Sequence, residues 1–139
     1  MAATKKVEVR YYSKTGNTAK LAEAIGDELL VKAKSVEVPI EGDVDILFLG
    51  SSVYGAGVDN KVKTFINSLD SRVKTVVNFS TAAILPSTYG QIKKLLGEKG
   101  IALEVREFHC RGEFKFMHKG KPDAQDIKNV REFARKIVS

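Results

Sequence analysis

Apolar residues along the chain alternate between two periods, and the changes of period mark out its elements. In residues 6–12, Val7, Val9 and Tyr11 share one face at period two, a β pattern that ends in a turn rich in Ser, Thr, Gly and Asn. From near Gly16 the period lengthens. Leu21, Ala22, Ile25 and Leu29 recur at three- and four-residue spacing, which lines one side of a helix. Residues 34–39 predict a short second strand. Residues 44–49 predict a third, apolar everywhere except Asp45 and so expected to be buried on both faces. A loop over 50–58 leads into a helix with the stripe Val62, Phe65, Ile66 and Leu69 and with Asp59 as N-cap. Residues 73–79 read as the fourth strand. The next helix contains Ile92, Leu95 and Leu96, has Thr88 and Gln91 at capping-box spacing, and can end at Gly97 or Gly100. A fifth strand over 102–108 precedes a basic and aromatic loop, 109–121. The last helix starts beyond Pro122 under an Asp123 cap and is expected to bury Ile127, Val130, Ala134 and Ile137.

Strands alternating with helices call for a parallel sheet covered on both sides, a doubly wound α/β domain. With 139 residues, 43% of them apolar, residues 1–139 form a single domain. Ligands of such sheets bind beyond the carboxyl ends of the strands, where the strand order reverses. The loops after the first, third and fourth strands are therefore where chemistry is expected.

Net charge changes this picture only in part. A formal charge of +6 invites nucleic acid or an anionic membrane as partner. Lys and Arg are interleaved with Asp and Glu, however, so a solvated basic surface is the expectation and nucleic acid is not. The single cysteine, Cys110, excludes an internal disulfide and fits a reducing compartment. The first residues reach a strand with no apolar signal region, and no run has membrane-spanning length. A soluble cytoplasmic protein is expected.

The turn after the first strand, Ser13-Lys14-Thr15-Gly16-Asn17-Thr18, has the chemistry of an anion site. A helix start offers unpaired N–H groups and a partial positive charge, and this one adds three hydroxyls and an amide. One hydroxyl would be an ordinary cap; four polar side chains in six residues exceed what capping requires. The turn lacks the Gly-Lys-Ser/Thr ending of a nucleoside-triphosphate loop and the three glycines of a dinucleotide fingerprint. A monophosphate fits it better.

Over essentially its whole length the chain resembles the flavodoxin family, whose phosphate loop Ser/Thr-x-Thr-Gly-x-Thr follows the first strand as Ser13 to Thr18 do here. The resemblance implies a three-layer fold with a five-stranded parallel sheet in the order 2-1-3-4-5, and FMN as cofactor. It assigns the flavin phosphate to Ser13, Thr15, Asn17 and Thr18 and to the backbone of Lys14 and Gly16, with no charge contact from Lys14. It places the ring against Ser52, Val53, Tyr54, Gly55, Ala56 and Gly57, where Tyr54 stacks on the flavin and the Gly55–Ala56 peptide meets N5. Tyr54 could instead cover the sheet edge. Ser80, Thr81 and Ala82 are expected to meet the pyrimidine edge, largely through main-chain atoms, and Tyr89 is either a second aromatic wall or packing at a helix start.

Other residues carry less. His109 and Cys110 are adjacent, so in a strand they point to opposite faces and cannot act as a base and nucleophile pair. His118 has no partner at metal-ligand spacing. Phe114, Phe116 and Met117, among Arg111, Lys115, Lys119 and Lys121, could cover the sheet edge, dock a partner or stack single-stranded nucleic acid.

The family resemblance implies an electron carrier with no substrate reaction of its own. Because the chain is basic, its redox partner is expected to present an acidic docking surface, with transfer slowed by salt. Three alternatives remain at this stage: a flavodoxin-like activator of ribonucleotide reductase, an FMN-dependent small-molecule reductase, and an FMN-free binding module. Flavin uptake separates the last from the others. Oxidation of NAD(P)H without a partner would mark the reductase.

Overall fold

A strand that is apolar on both faces dictates the layering. Ile46, Leu47, Phe48 and Leu49 are all buried, and they alternate between two separate cores. Such a strand is stable only with helices packed on each side. The computed structural model describes residues 5–14, 16–53, 58–82, 87–112 and 120–139. Its elements are β1 (Val7–Tyr11), α1 (Asn17–Leu29), β2 (Ala33–Ser35), β3 (Val44–Val53), α2 (Asn60–Ser68), β4 (Val73–Ala82), α3 (Tyr89–Gly97), β5 (Ala102–Leu103), β6 (Phe108–Arg111) and α4 (Ala124–Val138). All strand pairs are parallel, in the order β2-β1-β3-β4, with β5 and β6 both on the outer side of β4. The order reverses between β1 and β3. This is the three-layer doubly wound architecture expected, with one more strand.

Each core joins one helix pair to one face of the sheet. Val62, Phe65 and Ile66 of α2 and Ile92 and Leu96 of α3 pack with Leu47, Leu49 and Val76. Leu21, Ala22 and Ile25 of α1 and Val130, Ala134 and Ile137 of α4 pack with Val9, Phe48, Val77 and Phe79. Each large side chain buried in this way contributes about 1.5–3 kcal/mol. Ile127 and Leu29 lie at the rim and are only partly buried. Gly50 is a point of close approach, because a Cβ there would lie 2.4 Å from the Phe79 ring and 2.9 Å from Thr18 Cγ2.

Several boundaries differ from the sequence expectation, each for a physical reason. The second strand stops at Ser35 instead of residue 39. The fully enclosed Arg10 guanidinium takes the carbonyls of Val38 and Pro39 at 2.9 and 3.1 Å, and Glu8 pairs with it at 2.8 Å, so these carbonyls leave the sheet. The third and fourth strands run on to Val53 and Ala82, paired with each other in register to their ends. The single fifth strand expected over 102–108 is two short strands. On β4 the register passes from Val76 to Phe79, while on the edge it passes from Leu103 to Phe108, leaving two surplus residues that bulge outward with Val105 exposed. The Asp59 and Asp123 caps form as expected, the latter as a capping box with Asp126. Thr88 and Gln91 form no capping box, since both side chains are bonded elsewhere. Among the described residues, no helix is long and apolar enough to cross a membrane.

Candidate functional site

The carboxyl ends of β1, β3 and β4 lie side by side, with Tyr11 beside Gly50 and Ser51 beside Ser80. Above them α1 starts at Gly16, whose φ of +89° is strained for any residue with a Cβ. A Cβ there would meet no atom of the described residues within 4 Å, so the requirement for glycine is conformational. As a glycine, the N-cap residue supplies no side-chain cap of its own. Ser13 Oγ accepts from the Gly16 N–H at 2.9 Å, which closes the turn and leaves the hydroxyl proton available for donation. Lys14 points across to the α2 cap, its Nζ 3.7 Å from Asp59 Oδ2.

Thr18 has no exposed surface, and its hydroxyl is 2.9 Å from Thr81 Oγ1 and 3.3 Å from the Ser51 carbonyl. The expectation that this hydroxyl faces a phosphate is therefore corrected: it is turned into the protein, and what the residue offers above is its backbone N–H. Asn17, beside it, is also buried. On the opposite face of the sheet, Ser51 Oγ donates to Thr88 Oγ1 at 2.9 Å. Asn78 Nδ2 donates to the same oxygen at 3.1 Å. Gln91 Oε1 accepts from the Val58 N–H at 2.8 Å. Ser51 thus joins two sets of bonds, its carbonyl held from α1 and its hydroxyl bonded to the start of α3. The ends of all three functional loops are tied to one another through buried hydroxyls.

Ser52 and Val53 belong to β3 and pair with Thr81 and Ala82. Ser80, Thr81 and Ala82 are not in a loop: β4 carries them between β3 and β6, and Ala82 O accepts from the Gly112 N–H at 3.3 Å. Their main-chain groups serve the sheet ladder, which corrects the expectation that they meet a ligand through main-chain atoms. What they can present is side chains, and the fully buried Ser80 hydroxyl has no hydrogen-bond partner among the described residues. Thr15, Tyr54, Gly55, Ala56 and Gly57 lie outside the described residues, as do Phe114, Phe116, Met117 and His118.

In β6, His109 is exposed while Cys110 packs toward the α1 and α4 core, so the two do point to opposite faces. Burial pushes the Cys110 thiol up to about 12; the Asp126 carboxylate adds to the rise and Lys121 opposes it. Such a thiol is no nucleophile at neutral pH. Among the described residues, no group of three His, Cys, Asp or Glu side chains is placed to hold a metal ion.

A family model described as a flavodoxin domain matches residues 8–119, from β1 to beyond β6. The chain belongs to the flavodoxin domain family. An uncharacterized protein of Methanocaldococcus jannaschii is 28% identical over 136 residues, covering 88% of this chain and 90% of its own. Among solved structures, a flavodoxin from the domain Archaea superposes with a TM-score of 0.79 at 19% identity, with 96% of each chain covered. Flavodoxin 1 from Bacillus cereus gives 0.72 at 16% identity, covering 96% of this chain and 97% of its own. The rubredoxin oxygen:oxidoreductase of Desulfovibrio gigas gives 0.75 at 15% identity, matching 96% of this chain to 35% of that larger one. At such identities the superpositions establish the flavodoxin-like fold.

Within this flavodoxin domain, reading the sequence picked out the turn itself but missed the residues that fix it. Ser51, Asn78 and Gln91 were not singled out for the site, and Thr88 was assigned to a cap. A signal was present: Asn78 and Ser51 are polar residues within or directly after apolar strand runs, where a polar group persists only if bonded.

Proposed function

We propose that this flavodoxin domain binds one FMN and passes electrons between partner proteins, with no substrate reaction of its own. The observation that carries this reading is the start of α1. Its N-cap residue is Gly16, at φ +89°, which brings no side chain of its own to the helix start, and the turn is set at the point where strand order reverses. The residues present fit the cofactor, since the buried Ser80 hydroxyl, near the carboxyl end of β4, has no partner among the described residues and offers one more polar group.

When bound, the flavin supplies reversible uptake of electrons. The protein's part is to bind and hold it. The N–H groups of the first turn of α1 and the Ser13 hydroxyl receive the phosphate. The Thr18 to Thr81 bond and the set joining Ser51, Thr88 and Asn78 fix the loops that flank the ring. Tyr54 is assigned to stack on the ring because the loop after β3 offers it as a flat side chain among small residues. The charge of +6 sets the character of the partner, an acidic docking surface, with transfer that slows as salt rises.

Incubation of the purified protein with FMN, followed by gel filtration, tests the assignment. Retained yellow colour that a one-electron reductant bleaches reversibly is the expected result. Protein that stays colourless would leave a binding module as the reading, and NAD(P)H consumption with no partner present would replace the carrier with a reductase.

A further inference from the structure

The two helical layers differ in charge in a way the fold does not require. In α1 and α4 acidic and basic residues cancel, and Glu28 of α1 pairs with Arg131 and Arg135 of α4 at 2.9 and 3.6 Å. Helices α2 and α3 contain Lys61, Lys63, Lys93 and Lys94 and not one Asp or Glu. On α2 their placement opposes stability, whereas Lys94 lies in the favourable last turn of α3. Helix α4 follows the dipole rule, with Asp126 in its first turn and Arg135 and Lys136 in its last. Helices α2 and α3 have no acid in the first turn, and α2 has lysines at its second and fourth positions, where a cation meets the positive end of the dipole.

These lysines also converge. Lys61 turns away to Glu37 at 3.0 Å, but Lys63 lies one turn before Asn67, whose carbonyl accepts from Lys99 Nζ at 2.9 Å across the gap between the helices. Lys94 lies one turn after Gln91, whose side chain reaches back to Val58 at the start of α2. Lys63, Lys94 and Lys99 therefore border a single seam, while Lys93, two residues from Gln91, lies on the other flank of α3. All four are exposed, and Lys63, Lys93 and Lys94 form no ion pair with a described residue. Both helices begin at the loops of the candidate site, and Lys94 is only about 8 Å of helix rise beyond the start of α3.

We propose that the α2–α3 seam is the surface on which an acidic redox protein docks, bringing its redox centre to the loops after β3 and β4. This rests on the electron-carrier reading. A protein partner fits better than nucleic acid because, among the described residues, the exposed positions of α2 and α3 beside the lysines are Asn, Gln, Thr, Ser and Gly, and Tyr89 at the start of α3 is half-buried.

The probe is a plant-type ferredoxin, an acidic one-electron protein, titrated into the isotope-labelled chain while backbone amide shifts are followed. Shifts concentrated on α2 and α3 are expected, and shifts on α1 and α4 would overturn the seam. In stopped flow, K63E/K94E is expected to slow electron transfer from reduced ferredoxin about tenfold at low salt and to flatten its salt dependence. K128E/K136E, the same charge change on α4, is expected to leave the rate within about twofold, because local charges at the interface dominate steering. Equal losses in the two variants would overturn the proposal. So would a seam that binds an oligo-dT 20-mer and ignores ferredoxin. If the protein takes up no FMN the carrier reading fails, and the amide shifts still decide the seam.

Discussion

The hydroxyls of Thr18 and Thr81 lie 2.9 Å apart across 63 residues of sequence, in a position closed to solvent. This bond fixes the start of α1 to the end of β4, so the shape of the turn after β1 depends on a residue distant from it in the chain. Replacing Thr18 with Val keeps the volume and removes the hydroxyl that serves both Thr81 and the Ser51 carbonyl. A loss of about 1–3 kcal/mol is expected in urea denaturation of the apoprotein, with weaker FMN binding, whereas Thr18→Ser retains most of both. A change of only a few tenths would show that the bond does not hold the turn.

Ser80 gives an opposite expectation for the free protein. Its hydroxyl is buried without a partner among the described residues, so Ser80→Ala should raise apoprotein stability by about 1 kcal/mol while weakening FMN affinity. Thermal melts with and without FMN read both effects. Unchanged affinity would remove Ser80 from the site.

Leu30 closes α1 in the left-handed region, at φ 60°, with 91% of its surface exposed. Packing gives nothing back for that conformation. Leu30→Gly relieves it, and after the added freedom of the unfolded chain is subtracted a gain of about 0.5–1 kcal/mol is expected in a urea titration. A loss would mean that Leu30 makes contacts the folded structure does not suggest.

Cys110 predicts a slope on the alkaline side. Its thiol rises from 9.0 to about 12 in the folded protein, because burial disfavours the thiolate. The stability this group contributes is fully present below pH 9 and is lost as pH rises toward 12, since the unfolded thiol ionises first. Cys110→Ala should flatten that fall. At pH 9 iodoacetamide should modify the folded protein at least about tenfold more slowly than protein in urea. Equal rates would mean that the thiol is accessible.

What the sequence revealed and what it hid follow the range of the interactions involved. The stripes of all four helices and the caps at Asp59 and Asp123 were legible because they depend on residues within one or two turns. The end of the second strand was not, because Arg10, 28 and 29 residues away, sets it. Nor does anything in residues 104–107 announce that the edge leaves the sheet, since only the register on β4 reveals it. The same division holds in the site. The turn from Ser13 to Thr18 is contiguous and its glycine and hydroxyls stand out in the sequence, whereas Ser51 and Thr88 meet across 37 residues and become a pair only once β3 and α3 are packed.

The interruption between β5 and β6 makes the chain extensible. At that point the edge already departs from β4 and returns with two residues to spare, at the exposed Val105. Further residues spliced there would lengthen an existing excursion without breaking a ladder, and loop closure charges little for added length. A reporter peptide or a second module could be grafted at Val105, and the strand ends that frame the flavin loops would keep their register.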